Sequence, residues 1–235
     1  MKQIRNKVLL LVLVSIISMN SINAQTSKPV WDFNDVAIVL VDYQPEMFGQ
    51  IKSGDVHAIE LNVRALAHLS KAFNIPVVLS TVAVKMGSNR PTIDSLKADL
   101  PNSIEIDRTS MDAWDDKPFV NAIKATGKKK LVIAGLFTEI CLAYVVVEAK
   151  AAGYEVMFIE DAVGGLSKNA HDIAIQRMIQ AGAVPNTTLA FSSELFRDWK
   201  RPESKAYYPF LGWYFATSAT LYGTIKYPPY QPSKK

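Results

Sequence analysis

Lys128–Gly153, KKKLVIAGLFTEICLAYVVVEAKAAG, is the stretch that decides the fold. Leu131 to Ala134 is a short apolar run between lysines and Gly135, which predicts a buried strand. A helix follows, with Thr138 as its N-cap, Glu139 in a first turn that favours negative charge, and Gly153 at the C′ position. On this reading the only cysteine of the chain, Cys141, is the third helical residue. Its sulfur then faces unpaired backbone N–H groups and the positive end of the helix dipole, a setting that lowers a thiol pKa. The same position also suits a small buried apolar side chain, since free cysteine is among the most buried residue types.

Outward from this unit the pattern repeats. Val36–Asp42, VAIVLVD, is an uninterrupted β-branched run ending in a carboxylate, as in a central parallel strand. Tyr43 to Asp55 reads as a loop, and Val56 to Phe73 as an amphipathic helix with Ile59, Val63, Leu66, Ala67 and Leu69 on one face. Strands are predicted at Val77–Val82, Ile104–Ile106, Glu155–Ile159 and Thr187–Phe191. Helices are predicted at Pro118–Ala125, at about Ala170–Ala181 and at Ser193–Trp199. Such alternation argues a three-layer α/β/α fold with a central, mostly parallel sheet, whose ligand site lies outside the carboxyl ends of the strands. Asp42, Arg108 and Cys141 follow directly on predicted strands and so meet at one edge.

Both ends of the chain differ from this domain. Lys2, Arg5 and Lys7 precede an apolar run from Val8 to Ile17 and a cleavable Ile22-Asn23-Ala24, the pattern of an export leader over residues 1–24. The run is about half the roughly 20 residues a bilayer span requires, so a membrane anchor is not expected. Subtracting the three leader cations from the formal +4 leaves +1, which removes the case for a nucleic-acid or acidic-membrane partner. The remaining chain suffices for one α/β core over residues 35–200 behind an extended, mobile lead-in at 25–34. An exported chain with one cysteine forms no internal disulfide. Residues 201–235 crowd aromatics among Pro and Gly, from Tyr207 to Tyr230, and are expected to lie over the chain's own domain or a neighbouring subunit. With the apolar helix after Cys141, this argues a homo-oligomer.

A cysteine nucleophile needs a proton acceptor and donors for a tetrahedral oxyanion. Asp42 can be the base, Arg108 can hold it ionised, and the turn after Gly135 offers backbone N–H groups. A papain-like arrangement would need histidine, yet His57 and His68 fall on a predicted surface helix and His171 on a late one, where packing or capping is the expected role. The histidine spacing gives no metal site, and no phosphate or dinucleotide fingerprint is present, so no cofactor is expected. Lys85 reads as solvated, Asp161 as a local cap.

The segments VLVDYQ, IDRTSMDAW and VIAGLFTEICL, taken together, resemble the isochorismatase-like cysteine hydrolases, in particular their YcaC-like branch, over about Val36 to Trp199. The resemblance implies a Rossmann-like topology, with Asp42 as base, Arg108 as the basic triad member and Cys141 as nucleophile. It further implies a non-proline cis bond at Leu136-Phe137 and an oxyanion hole made by the N–H groups of Phe137 and Cys141. The metal site of the family's nicotinamidases has no counterpart in this sequence. The function expected is an exported, periplasmic or secreted hydrolase of a small molecule's amide or carbamoyl-type C–N bond through a thioester. Gln44, Phe48 and Trp114 are expected at the substrate pocket. A redox- or electrophile-responsive thiol protein and a non-catalytic binding oligomer on the same fold remain as alternatives.

Overall fold

The computed structural model describes residues 30–223. The leader at 1–24, the first part of the lead-in and the end of the tail, including Tyr227 and Tyr230, lie outside them. Six strands form one sheet: β1 (Val36–Val41), β2 (Val77–Val82), β3 (Glu105–Arg108), β4 (Lys130–Gly135), β5 (Glu155–Ile159) and β6 (Val184–Asn186). Their order is β3-β2-β1-β4-β5-β6 and every pairing is parallel. Every residue of β1 and β4 is buried, as continuous apolar runs covered on both faces require.

The helices are α1 (Pro45–Phe48), α2 (Val56–Phe73), α3 (Asp94–Asp99), α4 (Lys117–Ala125), α5 (Ala143–Ala151), α6 (Lys168–Gln180), α7 (Thr188–Phe196) and α8 (Ser204–Tyr222). Right-handed crossovers place the connections among β1, β2 and β3 on one face and those from β3 through β6 on the other. Accordingly α2 packs with α3, α7 and α8, while α5 packs with α6. Local chemistry sets the helix starts. The Asp55 carboxylate accepts from His57 N–H at 2.8 Å, the Asp116 carboxylate from Phe119 N–H at 3.0 Å, and Ser167 Oγ from Ala170 N–H at 3.1 Å.

Chain order reverses between β1 and β4, which lie side by side in the sheet, and ligands of open α/β sheets bind at such a switch point. There Val41 pairs with Gly135, and a Cβ on Gly135 would stand 2.8 Å from Val41 Cβ. Glycine is needed for that approach, because the chain turns into the cysteine segment immediately beyond it.

Three expectations need correction, and the tail gains a structure the sequence left unassigned. The last strand is not Thr187–Phe191 but Val184–Asn186, and Thr188–Phe196 is a helix. Its first turn is held from afar: the Asp161 carboxylate accepts from Thr188 N–H at 2.9 Å and from Thr188 Oγ1 at 2.7 Å. The third strand runs on to include Arg108. The end of the lead-in is docked rather than mobile, with Trp31 buried, its N–H on Glu194, and Phe33 stacked on Phe73 at 5.1 Å. The first part of the aromatic tail is a 19-residue helix, α8, despite Pro209 in its interior.

Specific contacts seat α8 on α2. Trp213 stacks on His68 with ring centroids 3.8 Å apart and lies under the Arg64 guanidinium; His68 Nε2 and Arg64 Nε both meet the Asp99 carboxylate. Tyr214 donates to Asn62 Oδ1 at 2.9 Å and Tyr222 to Asp55 Oδ2 at 2.7 Å. Trp213 is only half buried, so Trp213→Ala should cost less than a fully buried tryptophan would, on the order of 2 kcal/mol. Urea and thermal denaturation should show that loss as a fall in Tm of about 6 °C.

Candidate active site

β1 ends in Asp42, which is fully buried and holds φ at 58°. This left-handed conformation is one that aspartate tolerates better than most residues. It is fixed on both sides, with Asp42 N–H donating to Ser80 O at 3.0 Å and Gln44 N–H to Asp42 O at 2.8 Å. Arg108, the last residue of β3, reaches past β2 to meet Asp42 in a two-pronged ion pair: Nη1 to Oδ1 and Nη2 to Oδ2, each at 2.7 Å. Both side chains are fully out of solvent.

Arg108 Nη1 also donates to Thr81 O at 3.0 Å, and Ser80 Oγ donates to Asp42 Oδ1 at 3.3 Å. Arg108 Nε is buried without a hydrogen-bond partner. Burial works against the guanidinium charge, but the hydrogen bonds and charge of Asp42 outweigh it and raise the Arg108 pKa. Ser80 was not among the expected site residues. Its one trace in sequence is a hydroxyl placed inside the apolar run VVLSTV.

After β4 the chain passes through a cis peptide bond at Leu136-Phe137 into a five-residue π-helical turn, Thr138–Leu142, before α5 begins. In this wide turn Leu142 N–H reaches back to Phe137 O at 3.2 Å. Thr138 does not cap the helix, as no side chain does so; its hydroxyl is engaged by His171 Nδ1 at 2.9 Å. Gly153, with φ at 85°, follows the C-cap as expected.

Cys141 is 5% exposed, and the Asp42 carboxylate and Phe137 N–H both act on its thiol. Arg108 reaches it as well. Of the two readings of Cys141, the small buried side chain fits and acidification by a helix end does not. Burial, then the charge and hydrogen bond of Asp42, push the thiol far above its ordinary range, and Arg108 and Phe137 N–H offset only part of that rise.

Asp42, Arg108 and Cys141 are thus brought together, whereas the three expected pocket residues are not free to line a pocket in the same way. Gln44 is fully buried and its amide is spent on backbone: Nε2 donates to Val82 O and Arg90 O, and Oε1 accepts from Val82 N–H. It ties down the loop after β2. Phe48, on α1, is half buried and tilts against Tyr43, ring centroids 6.1 Å apart. Trp114 meets Tyr154 edge-on at 5.8 Å and lines a surface cleft with Val120, Lys124 and Lys129, beside the turn that enters β5. That is the opposite end of the sheet from Cys141.

His57 is on exposed surface, His68 serves the α8 contact, and His171 is buried beneath the cysteine turn. Asp161 is the distant cap of α7, and Lys85 is exposed. Among the described residues no group of three or more His, Cys, Asp or Glu side chains gathers as a metal ion would require.

Comparison with known proteins matches this arrangement to a family. The family model described as the Isochorismatase domain covers residues 36–189. The probable hydrolase YcaC of Escherichia coli strain K12 is 39% identical over 170 residues, which is 72% of this chain and 81% of that protein. A solved YcaC from Pseudomonas aeruginosa, carrying hexane-2,5-diol and covalent acrylamide, superposes with a TM-score of 0.76 at 34% identity, covering 83% of this chain and 96% of that one. The E. coli YcaC structure, an octameric hydrolase of unknown specificity, gives a TM-score of 0.73 at 35% identity, covering 83% and 97%. With its fold and most of its length shared with these proteins, the chain belongs to the isochorismatase family of hydrolases, in its YcaC-like branch.

Proposed function

We propose that this protein is an exported cysteine amidohydrolase that cleaves an amide or carbamoyl-type C–N bond of a small molecule through a thioester, with Asp42, Arg108 and Cys141 as its triad. The observation that carries the reading is the buried Asp42–Arg108 ion pair at the carboxyl edge of the sheet, with the buried Cys141 thiol under the influence of both. The covalent acrylamide of the P. aeruginosa relative is the kind of adduct a nucleophile forms, and adds support.

Because the thiol is held protonated, no standing thiolate is required. Asp42 takes the thiol proton as sulfur attacks the carbonyl carbon, and the new oxyanion is received by the N–H groups of Phe137 and Cys141. The C–N bond breaks when Asp42 returns that proton to the leaving nitrogen. Asp42 then deprotonates a water that attacks the thioester, releasing the acid and restoring the thiol. Arg108 keeps the carboxylate oriented between these steps; arginine does not give up its own proton. A thiol with a raised pKa lends nothing to the redox-sensor alternative, because oxidation follows thiolate character. Export rests on the leader pattern at residues 1–24, and assembly into a homo-oligomer on the octameric E. coli relative.

Incubation with a panel of small amides and carbamates, followed by intact-protein mass spectrometry, should reveal an acyl adduct on the wild type. Cys141→Ala should remain folded, form no adduct and lose turnover by at least about a thousandfold; undiminished turnover in that variant would refute the proposal. Asp42→Asn should lose turnover too, yet its thiol should ionise at lower pH than in the wild type, since the charge that holds the proton is gone. That downward move is readable in the pH dependence of iodoacetamide labelling.

Stability carries the same sign. The folded state keeps the thiol protonated while the unfolded chain ionises near its ordinary value of 9.0, so stability is full below that pH and falls as pH rises beyond it. Urea denaturation should show a steeper loss above pH 9 for the wild type than for Cys141→Ala.

A further inference from the structure

The π-helical turn that carries Cys141 is an uncommon conformation, and such turns persist where their surroundings hold them. Segment 164–171 supplies that hold here. Leu136 bridges to Gly164, Thr138 N–H donates to Gly164 O at 3.0 Å, and Leu166 N–H donates to Glu139 Oε1 at 2.9 Å. The buried side-chain link is between Thr138 and His171. Thr138 is fully buried, His171 is 7% exposed, and Oγ1 lies 2.9 Å from Nδ1.

Behind the ring, Nε2 faces Glu160 Oε1 at 3.4 Å, a partnership that lowers the Glu160 pKa, chiefly through its hydrogen bond to His171. With the Nε2 proton turned toward that carboxylate, Nδ1 is an acceptor and the Thr138 hydroxyl donates to it. The other charged groups at this end of α6 are Asp172 and Lys168, both partly exposed and paired with each other.

We propose that His171 is a positioning residue: held by Glu160, it anchors Thr138 and so keeps the turn wide, which fixes the Cys141 sulfur between the Asp42 carboxylate and Phe137 N–H. If the turn closed to ordinary α-helical spacing, losing one residue of its span, the residues beyond would rotate by about 100° around the helix axis and the sulfur would leave Asp42. The inference rests on the hydrolase reading for its catalytic meaning, but the sulfur's placement can be measured without any hydrolysis.

The test compares Thr138→Val and His171→Phe, which delete the hydrogen bond at nearly constant volume, with Thr138→Ser and His171→Asn, which can keep it. The probe is iodoacetamide labelling of Cys141 against pH, with thermal melting run in parallel. In the wild type the labelling rate should climb through the accessible alkaline range without levelling. In folded Thr138→Val and His171→Phe the climb should begin at lower pH, because the sulfur has lost Asp42 while its burial remains. The two conserving variants should follow the wild type, and the Thr138→Val/His171→Phe pair should shift the profile no further than one change alone. For any amide the panel identifies, the deleting variants should lose about tenfold or more in kcat with KM little changed.

A wild-type labelling profile in Thr138→Val, or a His171→Asn profile that tracks His171→Phe, would overturn the proposal. Should His171→Phe fail to fold, the isosteric Thr138→Val still decides. Failure of the hydrolase reading shows separately, as turnover that survives Cys141→Ala.

Discussion

Asp42 and Arg108 bring two opposite charges into a place without water, and the catalytic edge of the sheet is built around making that tolerable. Desolvation costs several kcal/mol per ion, and attraction offsets it only when geometry and further hydrogen bonds are good. Both conditions hold. The two prongs are 2.7 Å long, and Ser80 Oγ and Thr81 O take up further capacity. The pair spans from the end of β1 to the end of β3 with β2 between them, so the three strand ends are fixed relative to each other by charge as well as by the ladder. Removal of either partner would strand the other in the interior, at a cost of about 3–5 kcal/mol.

The sulfur completes a chain of compensations. A thiol buried beside the Asp42 carboxylate resists ionising. On the proposed mechanism, charge separates only as an electrophilic carbon takes the sulfur's electrons. Such an arrangement suits acyl transfer and ill suits indiscriminate oxidation.

The fold and the three central side chains were legible because they depend on short-range rules. Fully apolar runs ending in a polar residue mark buried parallel strands, and the site of such a sheet lies at the strand ends where Asp42, Arg108 and Cys141 fall. What escaped depends on partners distant in sequence. The expected strand Thr187–Phe191 opens with two β-branched threonines, but a carboxylate from Asp161, 27 positions before Thr188, holds the segment as a helix start. The choice between the two readings of Cys141 stayed open because a helix dipole can be counted from a local pattern, while enclosure and a facing Asp42 cannot. Gln44 follows the aspartate closely, yet its amide is consumed by the backbone at 82 and 90. Trp114 follows the arginine by six residues, and the chain turns away before reaching it. The helical state of α8 was hidden by Pro209 and by aromatics whose partners, His68 and Asn62, lie some 150 residues upstream.

The sheet's outer strand β6 is three residues long, with Pro185 in its middle opposite Phe158. Proline has no amide hydrogen to offer outward, so a seventh strand could not be stitched on there in regular fashion. Copies of this protein are therefore denied the simplest route to joining, continuation of one sheet into the next across β6. Only the opposite edge, β3, is left where a sheet could run on from one copy to another.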